Sequence, residues 1–307
     1  MTGFENLLFM NKTCIVIVGP TAVGKTGLAI RAALHFNTSI ISADSRQCFR
    51  ELNIGVAKPS ALELHKVQHY FIDSHTIKEE MNVAVFEQYA MEKIAEIFKQ
   101  NDIAIVTGGT GLYIKSFCKG IDEVPEVDPA IREKITADYE WEGMQWLQLE
   151  VEKQDPIYFA KGETKNPQRM MRALEVKLST GRSIVEFQTQ QNKKRDFKII
   201  KIGLELPKEQ LHKNINHRVD AMMQQGFLQE VKSLVSHKKL NALQTVGYRE
   251  LFGHLAGDLS LDEAVEIIKI NTRQYAKRQM TWFKKEEQIK WRAPEVDQML
   301  DLLSNLT

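Results

Sequence analysis

The chain has 307 residues, of which 43% are hydrophobic, so it can bury the core of one large domain or of two. Its 41 lysines and arginines nearly balance 40 aspartates and glutamates, and the formal net charge of +1 excludes a strong global attraction to nucleic acid. Any site for a polyanion must therefore be a local patch. The three cysteines are far apart and lack metal-binding spacing, which favours a reducing, cytoplasmic location. We expect no membrane partner, because no run approaches spanning length, and no signal peptide at the start.

The first predicted element is a strand over Thr13–Val18, which leads through a glycine-containing loop into a helix over Gly27–Leu34. The loop fits the pattern Gly-x-x-x-x-Gly-Lys-Thr, whose backbone N–H groups can face one anion at a helix N-terminus. Lys25 supplies a charge for terminal phosphate oxygens, and Thr26 offers a hydroxyl to a phosphate-bound Mg²⁺. We therefore predict a site for a diphosphate or triphosphate. The predicted binding residues are Gly19, Pro20, Thr21, Ala22, Val23, Gly24, Lys25 and Thr26.

A second buried strand is predicted over Ser39–Ala43, and the polar segment Asp44-Ser45-Arg46-Gln47 follows at its carboxyl end. Ligands bind at that edge in open α/β sheets. Asp44 can be a Mg²⁺ ligand, a general base or only a cap of the loop. The segment Asn53–Ser60 has turn chemistry and precedes a probable helix.

Two more strands are predicted over Tyr70–Asp73 and Ile103–Thr107, with an amphipathic helix over Val83–Gln100 between them. The pair Gly108-Gly109 at the end of the later strand can bring the backbone close to a ligand, and Thr110 presents a hydroxyl there. The same glycine pair also fits an ordinary tight turn.

Strand patterns then disappear, and helical patterns continue to a basic run near residue 195. The predicted helices are Ala130–Tyr139, Gly143–Lys153 and Asn166–Thr180. Arg169 and Arg172 share one helix face and can bind phosphate, although solvated salt bridges are the commoner role of such pairs. We predict a mostly helical insertion over 125–195, which divides an α/β core into a first part, 1–124, and a second part, 196–307.

The chain returns to strand alternation at Phe197–Leu206, and the rest is predicted to be helical. The predicted helices are Lys208–Met223, Gly226–His237 and Leu261–Glu286. The last of them interleaves basic with aromatic residues, a pattern that suits a nucleic-acid backbone with stacked bases. An ordinary amphipathic helix explains the same pattern.

In this order the segments resemble the tRNA dimethylallyltransferase family, also called tRNA isopentenyltransferases. The landmarks are Gly19–Thr26, Asp44–Gln47, Ile54–Pro59, Gly108–Tyr113, Gln168-Arg169, Gly247-Tyr248-Arg249 and Arg273–Trp282. They extend over nearly the whole chain, and the absence of a Cys/His zinc-finger extension resembles the bacterial form. The resemblance implies an α/β fold with a P-loop NTPase-like parallel sheet core, a mostly helical insertion domain and a helical C-terminal region.

The resemblance also implies a reaction. A dimethylallyl group passes from dimethylallyl diphosphate to N6 of adenosine 37, just 3′ of the anticodon, in tRNAs that read codons beginning with U. The product would be N6-(dimethylallyl)adenosine, the cofactor Mg²⁺, and the partners dimethylallyl diphosphate and the tRNA anticodon stem-loop, with the protein acting as a monomer. By similarity, Arg218 would contact the diphosphate together with the phosphate loop and Mg²⁺.

Individual roles are implied for the matching residues. Asp44 would act as general base on the adenine amine, while Thr110 would orient the amine and the diphosphate. The helical insertion would form a lid over the anticodon loop. The residues implied in tRNA contacts are Asp44, Ser45, Arg46, Gln47, Thr110, Arg132, Gln168, Arg169, Met170, Met171, Arg172, Gly247, Tyr248 and Arg249. The chain departs from the usual family pattern at Cys48-Phe49 and at Val56, where hydroxyl groups are lost.

Three other readings stay open. A small-molecule kinase would hold ATP in the same loop but would not need the basic and aromatic C-terminal helix. An isopentenyltransferase that acts on free adenine nucleotides would not need the helices over Asn166–Thr180. A nucleic-acid-binding ATPase would need no base at Asp44 and no hydroxyl at Thr110.

Overall fold

The computed structural model describes residues 11–189, 192–295, 300–301 and 303–305. Within these ranges, six parallel strands form one sheet in the order β3-β2-β4-β1-β5-β6. The strands are β1 Thr13–Val18, β2 Ile40–Ser42, β3 His69–Tyr70, β4 Ile103–Gly108, β5 Lys198–Leu204 and β6 Lys290–Arg292. The carboxyl ends of β1, β2 and β4 therefore lie at one edge, from which the predicted ligand-binding loops emerge.

Helices occupy most of the remaining chain. The first four are α1 Lys25–His35, α2 Ala61–Lys66, α3 Val83–Phe98 and α4 Gly111–Lys119. The next four are α5 Pro129–Gln154, α6 Pro156–Lys161, α7 Pro167–Thr180 and α8 Ile184–Phe187. The last four are α9 Lys208–Gln224, α10 Phe227–Ser233, α11 Tyr248–Ala256 and α12 Leu261–Phe283. None of the helices in the described ranges is long and apolar enough to span a membrane.

Strand β1 explains why the sheet has helices on both faces. All six of its residues are buried, as expected of a central parallel strand whose two faces are both covered. Cys14, Val16 and Val18 pack into one hydrophobic core, whereas Ile15 and Ile17 pack into the other. Burial of both faces fixes the register of β1, and with it the position at which the phosphate loop begins.

The described residues divide into two compact units, one from 11–119 and 194–307 and the other from 120–193. The second unit is helical and has a core of its own. Its buried residues are Ile135, Leu147, Val151, Tyr158, Met170, Met171, Ala173 and Leu174. Asp128 caps α5 by accepting a hydrogen bond from the N–H of Ala130, and Pro129 occupies the first turn. Gly143, with φ of +78°, breaks α5 into two helical parts.

Three expectations about elements need correction. The third strand is His69–Tyr70 rather than Tyr70–Asp73, because Phe71 and Asp73 have φ of +63° and +53°, which a strand does not allow. The C-terminal region is not entirely helical, since β6 pairs with β5. Helix α4, which directly follows the glycine pair, had no predicted counterpart.

Candidate active site

The phosphate loop lies between β1 and α1 and has the conformation that its glycines permit. Gly24 precedes α1 with φ of +101°, a left-handed value that L side chains rarely adopt. A Cβ on Gly19 would come within 2.6 Å of the carbonyl oxygen of Leu204, so a larger residue would displace the neighbouring strand. Lys25 reaches back over the loop, and its Nζ donates to the carbonyl oxygens of Gly19 at 3.0 Å and Pro20 at 2.7 Å.

Two cations face this loop, and within the residues that the structure describes neither is bonded to a carboxylate. Arg218 of α9 donates from Nη1 to Oγ1 of Thr21 at 3.2 Å. Burial, together with Arg218, lowers the pKa of Lys25 to about 7, and Asp44 opposes the shift only in part. Burial also lowers the pKa of Arg218. The two positive charges of Lys25 and Arg218 repel each other, and a bound polyanion would offset this repulsion.

The opposite side of the site is built from the loops that follow β2 and β4. Oδ1 of Asp44 accepts hydrogen bonds from the backbone N–H groups of Arg46, at 2.9 Å, and Gln47, at 3.3 Å. Among the described residues, Oδ2 of Asp44 makes no hydrogen bond. Oγ1 of Thr110 accepts from the N–H of Ser45 at 3.1 Å. The carboxylate of Asp44 and the hydroxyl of Thr110 are therefore held in neighbouring loops at the same edge of the sheet.

Two cavities meet at Asp44. The more polar one has a volume of about 290 Å³ and is lined by the phosphate loop, Gly108 and Gly109. The second has a volume of about 240 Å³ and extends towards apolar side chains. Those apolar residues are Val219, Met222, Phe227, Val246 and Ile268. The residues that line both cavities are Thr21, Asp44, Val56, Ala57, Arg218 and Tyr275. A ligand with a charged head and a small apolar body matches this pair of cavities.

The other residues of the Asp44–Gln47 segment either line a cavity or bond neighbouring parts of the protein. Ser45 and Arg46 line the apolar cavity. Gln47 is tied inward, since its Oε1 accepts from Ser42 Oγ at 3.1 Å and its Nε2 donates to the carbonyl oxygens of Val56 and Ala57 at 3.2 and 3.1 Å.

The two departures from the family pattern lie in different environments. Cys48 and Phe49 are 0% and 2% exposed, so the change there alters core packing rather than the cavity surface. Val56, in contrast, lines both cavities.

The segment Gly247-Tyr248-Arg249 reaches the site indirectly. Tyr248 is fully buried, and its hydroxyl donates to Oε1 of Glu230 at 2.5 Å, while burial raises its pKa. The same carboxylate accepts from the backbone N–H groups of residues 53, 54 and 55 at 3.1, 2.8 and 3.1 Å. Tyr248 thus supports the loop that forms a cavity wall, whereas Gly247 lines the cavity and Arg249 is exposed.

Within the unit 120–193, the predicted tRNA-contacting residues separate into exposed and buried sets. Gln168 and Arg169 are exposed, but Met170 and Met171 lie in the core of that unit at 0% and 5% exposure. The structure gives these two side chains a packing role, as it does Tyr248.

Two arginines of this unit share one carboxylate. Oε2 of the buried Glu175 lies 3.4 Å from Nε of Arg132 and 3.2 Å from Nη1 of Arg172. Two guanidinium groups on one carboxylate leave a net positive charge on that surface, and each arginine side chain keeps more than a third of its surface exposed. Such a group can bind phosphate.

Comparison with known proteins identifies the family. The sequence model described as IPP transferase matches residues 47–286, more than half of the chain. The chain is also 45% identical over 298 residues to tRNA dimethylallyltransferase 1 of Bacteroides thetaiotaomicron, an alignment that covers 96% of this chain and 97% of that protein. This chain belongs to the IPP transferase family.

Solved structures agree with this assignment and confirm the predicted fold class. The tRNA isopentenylpyrophosphate transferase of Bacillus halodurans is 32% identical, with a TM-score of 0.69 and coverage of 96% of this chain and 95% of that one. A eukaryotic dimethylallyltransferase described as acting on tRNA is 27% identical, with a TM-score of 0.77 and coverage of 96% and 80%. The family resemblance inferred from the landmarks is confirmed.

Two side chains of this IPP transferase site were absent from the predicted set, and both come from α12. Tyr275 lines both cavities, and burial raises the pKa of its hydroxyl to about 12, with Asp44 adding to the shift. Gln279 is 6% exposed and joins the phosphate loop to the glycine pair after β4. Both residues lie in the landmark Arg273–Trp282, but the basic and aromatic composition of that segment pointed to a nucleic-acid surface or an ordinary amphipathic helix, and neither interpretation singles out these two side chains.

The donor set of the polar cavity fits a hard cation. Thr26 lines the cavity together with Asp44 and Thr107, so oxygen ligands of the kind that Mg²⁺ prefers are present. No group of three or more His, Cys, Asp or Glu side chains able to hold a metal occurs in the described part of the chain. A cation here would therefore bind mainly through ligand phosphates and water, with few protein ligands.

Proposed function

We propose that this chain is a tRNA dimethylallyltransferase that transfers a dimethylallyl group from dimethylallyl diphosphate to N6 of adenosine 37, next to the anticodon of tRNAs reading codons that begin with U. The observation that carries the proposal is that groups suited to a diphosphate and groups suited to an amine belong to one site. Lys25 and Arg218 form a cradle for a diphosphate, and Asp44 lines the same cavities with a carboxylate suited to an amine, while the hydroxyl of Thr110 bonds the loop that follows Asp44. The names of the relatives reported above support a dimethylallyltransferase that acts on tRNA.

On the donor side, the diphosphate is the leaving group. The bond between the allylic carbon and the diphosphate oxygen breaks, and the negative charge that develops is stabilised by the loop N–H groups, Lys25 and Arg218. Thr26 would hold Mg²⁺ through its hydroxyl, and the ion would supply further charge neutralisation on the diphosphate. The dimethylallyl body occupies the apolar cavity beside Met222 and Phe227.

On the acceptor side, a bond forms between N6 of adenosine and the allylic carbon. The amine is a weak nucleophile because its lone pair is delocalised into the ring, so positioning and proton removal matter. Asp44 takes the departing N6 proton on Oδ2, since Oδ1 already accepts two backbone N–H groups. The hydroxyl of Thr110 orients the amine from the neighbouring loop.

The RNA must present its base outside the anticodon stack before the base can enter such a cavity. Arg46 lines the apolar cavity, and Arg249 is exposed two positions after the lining residue Gly247, so both are assigned to the RNA backbone. The surface of the second unit formed by Arg132, Gln168, Arg169 and Arg172 provides further phosphate contacts. We propose that the unit 120–193 acts as a lid over the anticodon loop, and that the enzyme works in the cytoplasm as a monomer.

The test is transfer itself. Purified protein is incubated with Mg²⁺, dimethylallyl diphosphate and an unmodified tRNA transcript, and the digested nucleosides are analysed by mass spectrometry. We expect N6-(dimethylallyl)adenosine from this transcript and none from a matched transcript with guanosine at position 37. Modification of free adenine nucleotide in preference to tRNA would replace the proposed acceptor. Consumption of ATP without any transfer would favour the kinase or ATPase alternatives.

A further inference from the structure

Gln279 connects two parts of the site that are far apart in sequence. Its Oε1 accepts a hydrogen bond from the N–H of Thr21 at 2.8 Å, and its Nε2 donates to the carbonyl oxygen of Gly109 at 2.9 Å. The side chain is 6% exposed, so both bonds lie in protein of low dielectric, where they are strong and costly to break.

The two bonded residues belong to the two halves of the proposed reaction. Thr21 is in the phosphate loop, and its hydroxyl accepts from Arg218, so it belongs to the diphosphate cradle. Gly109 immediately precedes Thr110, whose hydroxyl binds the loop that begins at Asp44. One amide group therefore spans from the leaving-group side to the amine side.

The chemistry requires an amide at this place. Thr21 offers a donor and Gly109 offers an acceptor, so the bridging side chain must accept with one atom and donate with another. A carboxylate could accept from Thr21 but would repel the carbonyl oxygen of Gly109. A methionine of similar length could make neither bond.

Gly109 fits Gln279 closely. A Cβ at position 109 would lie 2.1 Å from Nε2 of Gln279, so the bridge requires glycine there. The second glycine of the pair is thus explained by the approach of this side chain rather than by a turn, since its backbone has no positive φ.

We propose that Gln279 is a positioning residue that sets the distance between the diphosphate cradle and the acceptor amine. This inference depends on the proposed function. Because the reacting atoms must be aligned closely, a displacement of about 1 Å between the halves costs about 100-fold in rate. Both polar atoms of the Gln279 amide are bonded to the protein and neither is left for a substrate, so its loss should lower kcat and leave the KM values for both substrates nearly unchanged.

The first test compares Gln279→Met with a matched control, Gln88→Met. Gln88 is an exposed glutamine whose amide bonds only a neighbour on its own helix, Glu92, at 3.0 Å. We expect kcat to fall about 100-fold in Gln279→Met and to stay at the wild-type value in Gln88→Met. A wild-type kcat in Gln279→Met, or an effect confined to KM, would overturn the inference.

A pH profile of Gln279→Glu separates positioning from simple loss of packing. A protonated carboxyl can donate to Gly109 while still accepting from Thr21, whereas the ionised form cannot. Burial raises the pKa of a carboxyl group, so the ratio of variant to wild-type turnover should rise as the pH is lowered. A ratio that is constant with pH would contradict the bridge.

Hydrogen exchange gives a readout that does not need transfer. With inorganic diphosphate and Mg²⁺ as the probe, the wild type should gain protection both in the phosphate loop and in residues 108–112. Gln279→Met should keep the first gain and lose the second, and equal protection of residues 108–112 in both proteins would refute the coupling. If the wild type transferred nothing to tRNA, the proposed function would fail, but this measurement would still decide whether Gln279 links the two loops.

Discussion

The charge of Lys25 provides a quantitative prediction about substrate binding. In the ligand-free protein, burial and the nearby Arg218 lower its pKa to about 7, while Asp44 raises it by less. A diphosphate beside the ammonium group favours the charged form and raises the pKa again. Above pH 7, binding of the diphosphate substrate should therefore be accompanied by proton uptake at Lys25.

The size of the effect follows from the pKa. At pH 8, about a tenth of the free protein carries the proton on Lys25, so binding should take up about 0.9 proton at this site. The contribution of Lys25 to the affinity should be constant well below pH 7 and should fall about tenfold, or about 1.4 kcal/mol, for each pH unit above it. The sign is fixed because the bound state holds more protons than the free state.

Isothermal titration calorimetry can measure this uptake. Dimethylallyl diphosphate is titrated with Mg²⁺ and without tRNA at pH 8, in buffers of different ionisation enthalpy, and the slope gives the number of protons bound. The proton uptake measured with Lys25→Met comes from the ligand itself, so the uptake by the wild type should be larger by about 0.9 proton per ligand bound. Arg218→Gln should raise the pKa of Lys25, because a nearby positive charge is removed, and should therefore reduce the proton uptake that accompanies binding. Equal uptake by the wild type and Lys25→Met would refute the reasoning.

Three further predictions concern other groups of the site. Asp44→Asn keeps an oxygen for the backbone N–H groups of Arg46 and residue 47 but removes the base. Turnover should therefore fall by about 10² to 10⁴, while tRNA affinity measured by fluorescence anisotropy should not change. Normal turnover in this variant would assign proton removal to another group. Tyr248→Phe leaves Glu230 short of a buried donor and should lower the free energy of unfolding by about 1–3 kcal/mol in urea titrations, whereas wild-type stability would show the bond to be unimportant. Arg169→Gln should reduce the slope of log affinity against log salt by about one, equally for transcripts with adenosine or guanosine at position 37, and an unchanged slope would remove Arg169 from the phosphate contacts.

The elements that the sequence predicted well are those specified by local pattern. Strand β1 and the phosphate loop are contiguous, and the alternation of Cys14, Val16 and Val18 with Ile15 and Ile17 suits a strand buried on both faces. Helix α7 was predicted over Asn166–Thr180, and the structure begins it at Pro167 with Asn166 as its cap, because the cap and the first-turn proline are both local signals.

Elements that depend on distant partners could not be predicted in this way. Strand β6 has only three residues, Lys290–Arg292, and exists because β5 offers it an edge, so it has no hydrophobic alternation to recognise. The bridge made by Gln279 joins residues that are 258 and 170 positions away. Tyr248, between a glycine and an arginine, has the composition of a surface segment, and distant partners explain why it is fully buried: its ring packs against Phe227 and its hydroxyl bonds Glu230.

The glycines at positions 55 and 247 show how separate sequence landmarks serve one structural purpose. A Cβ at Gly55 would lie 2.2 Å from the ring of Phe227, and a Cβ at Gly247 would lie 2.8 Å from the same ring. Phe227 is 1% exposed and lines the apolar cavity, so both glycines are needed to let one aromatic wall approach the two loops. Substitutions of such supporting residues should change stability and cavity shape together. Substitutions of Lys25 or Asp44 should instead alter binding or turnover with much smaller effects on packing, and this separation distinguishes residues that build the site from those that react in it.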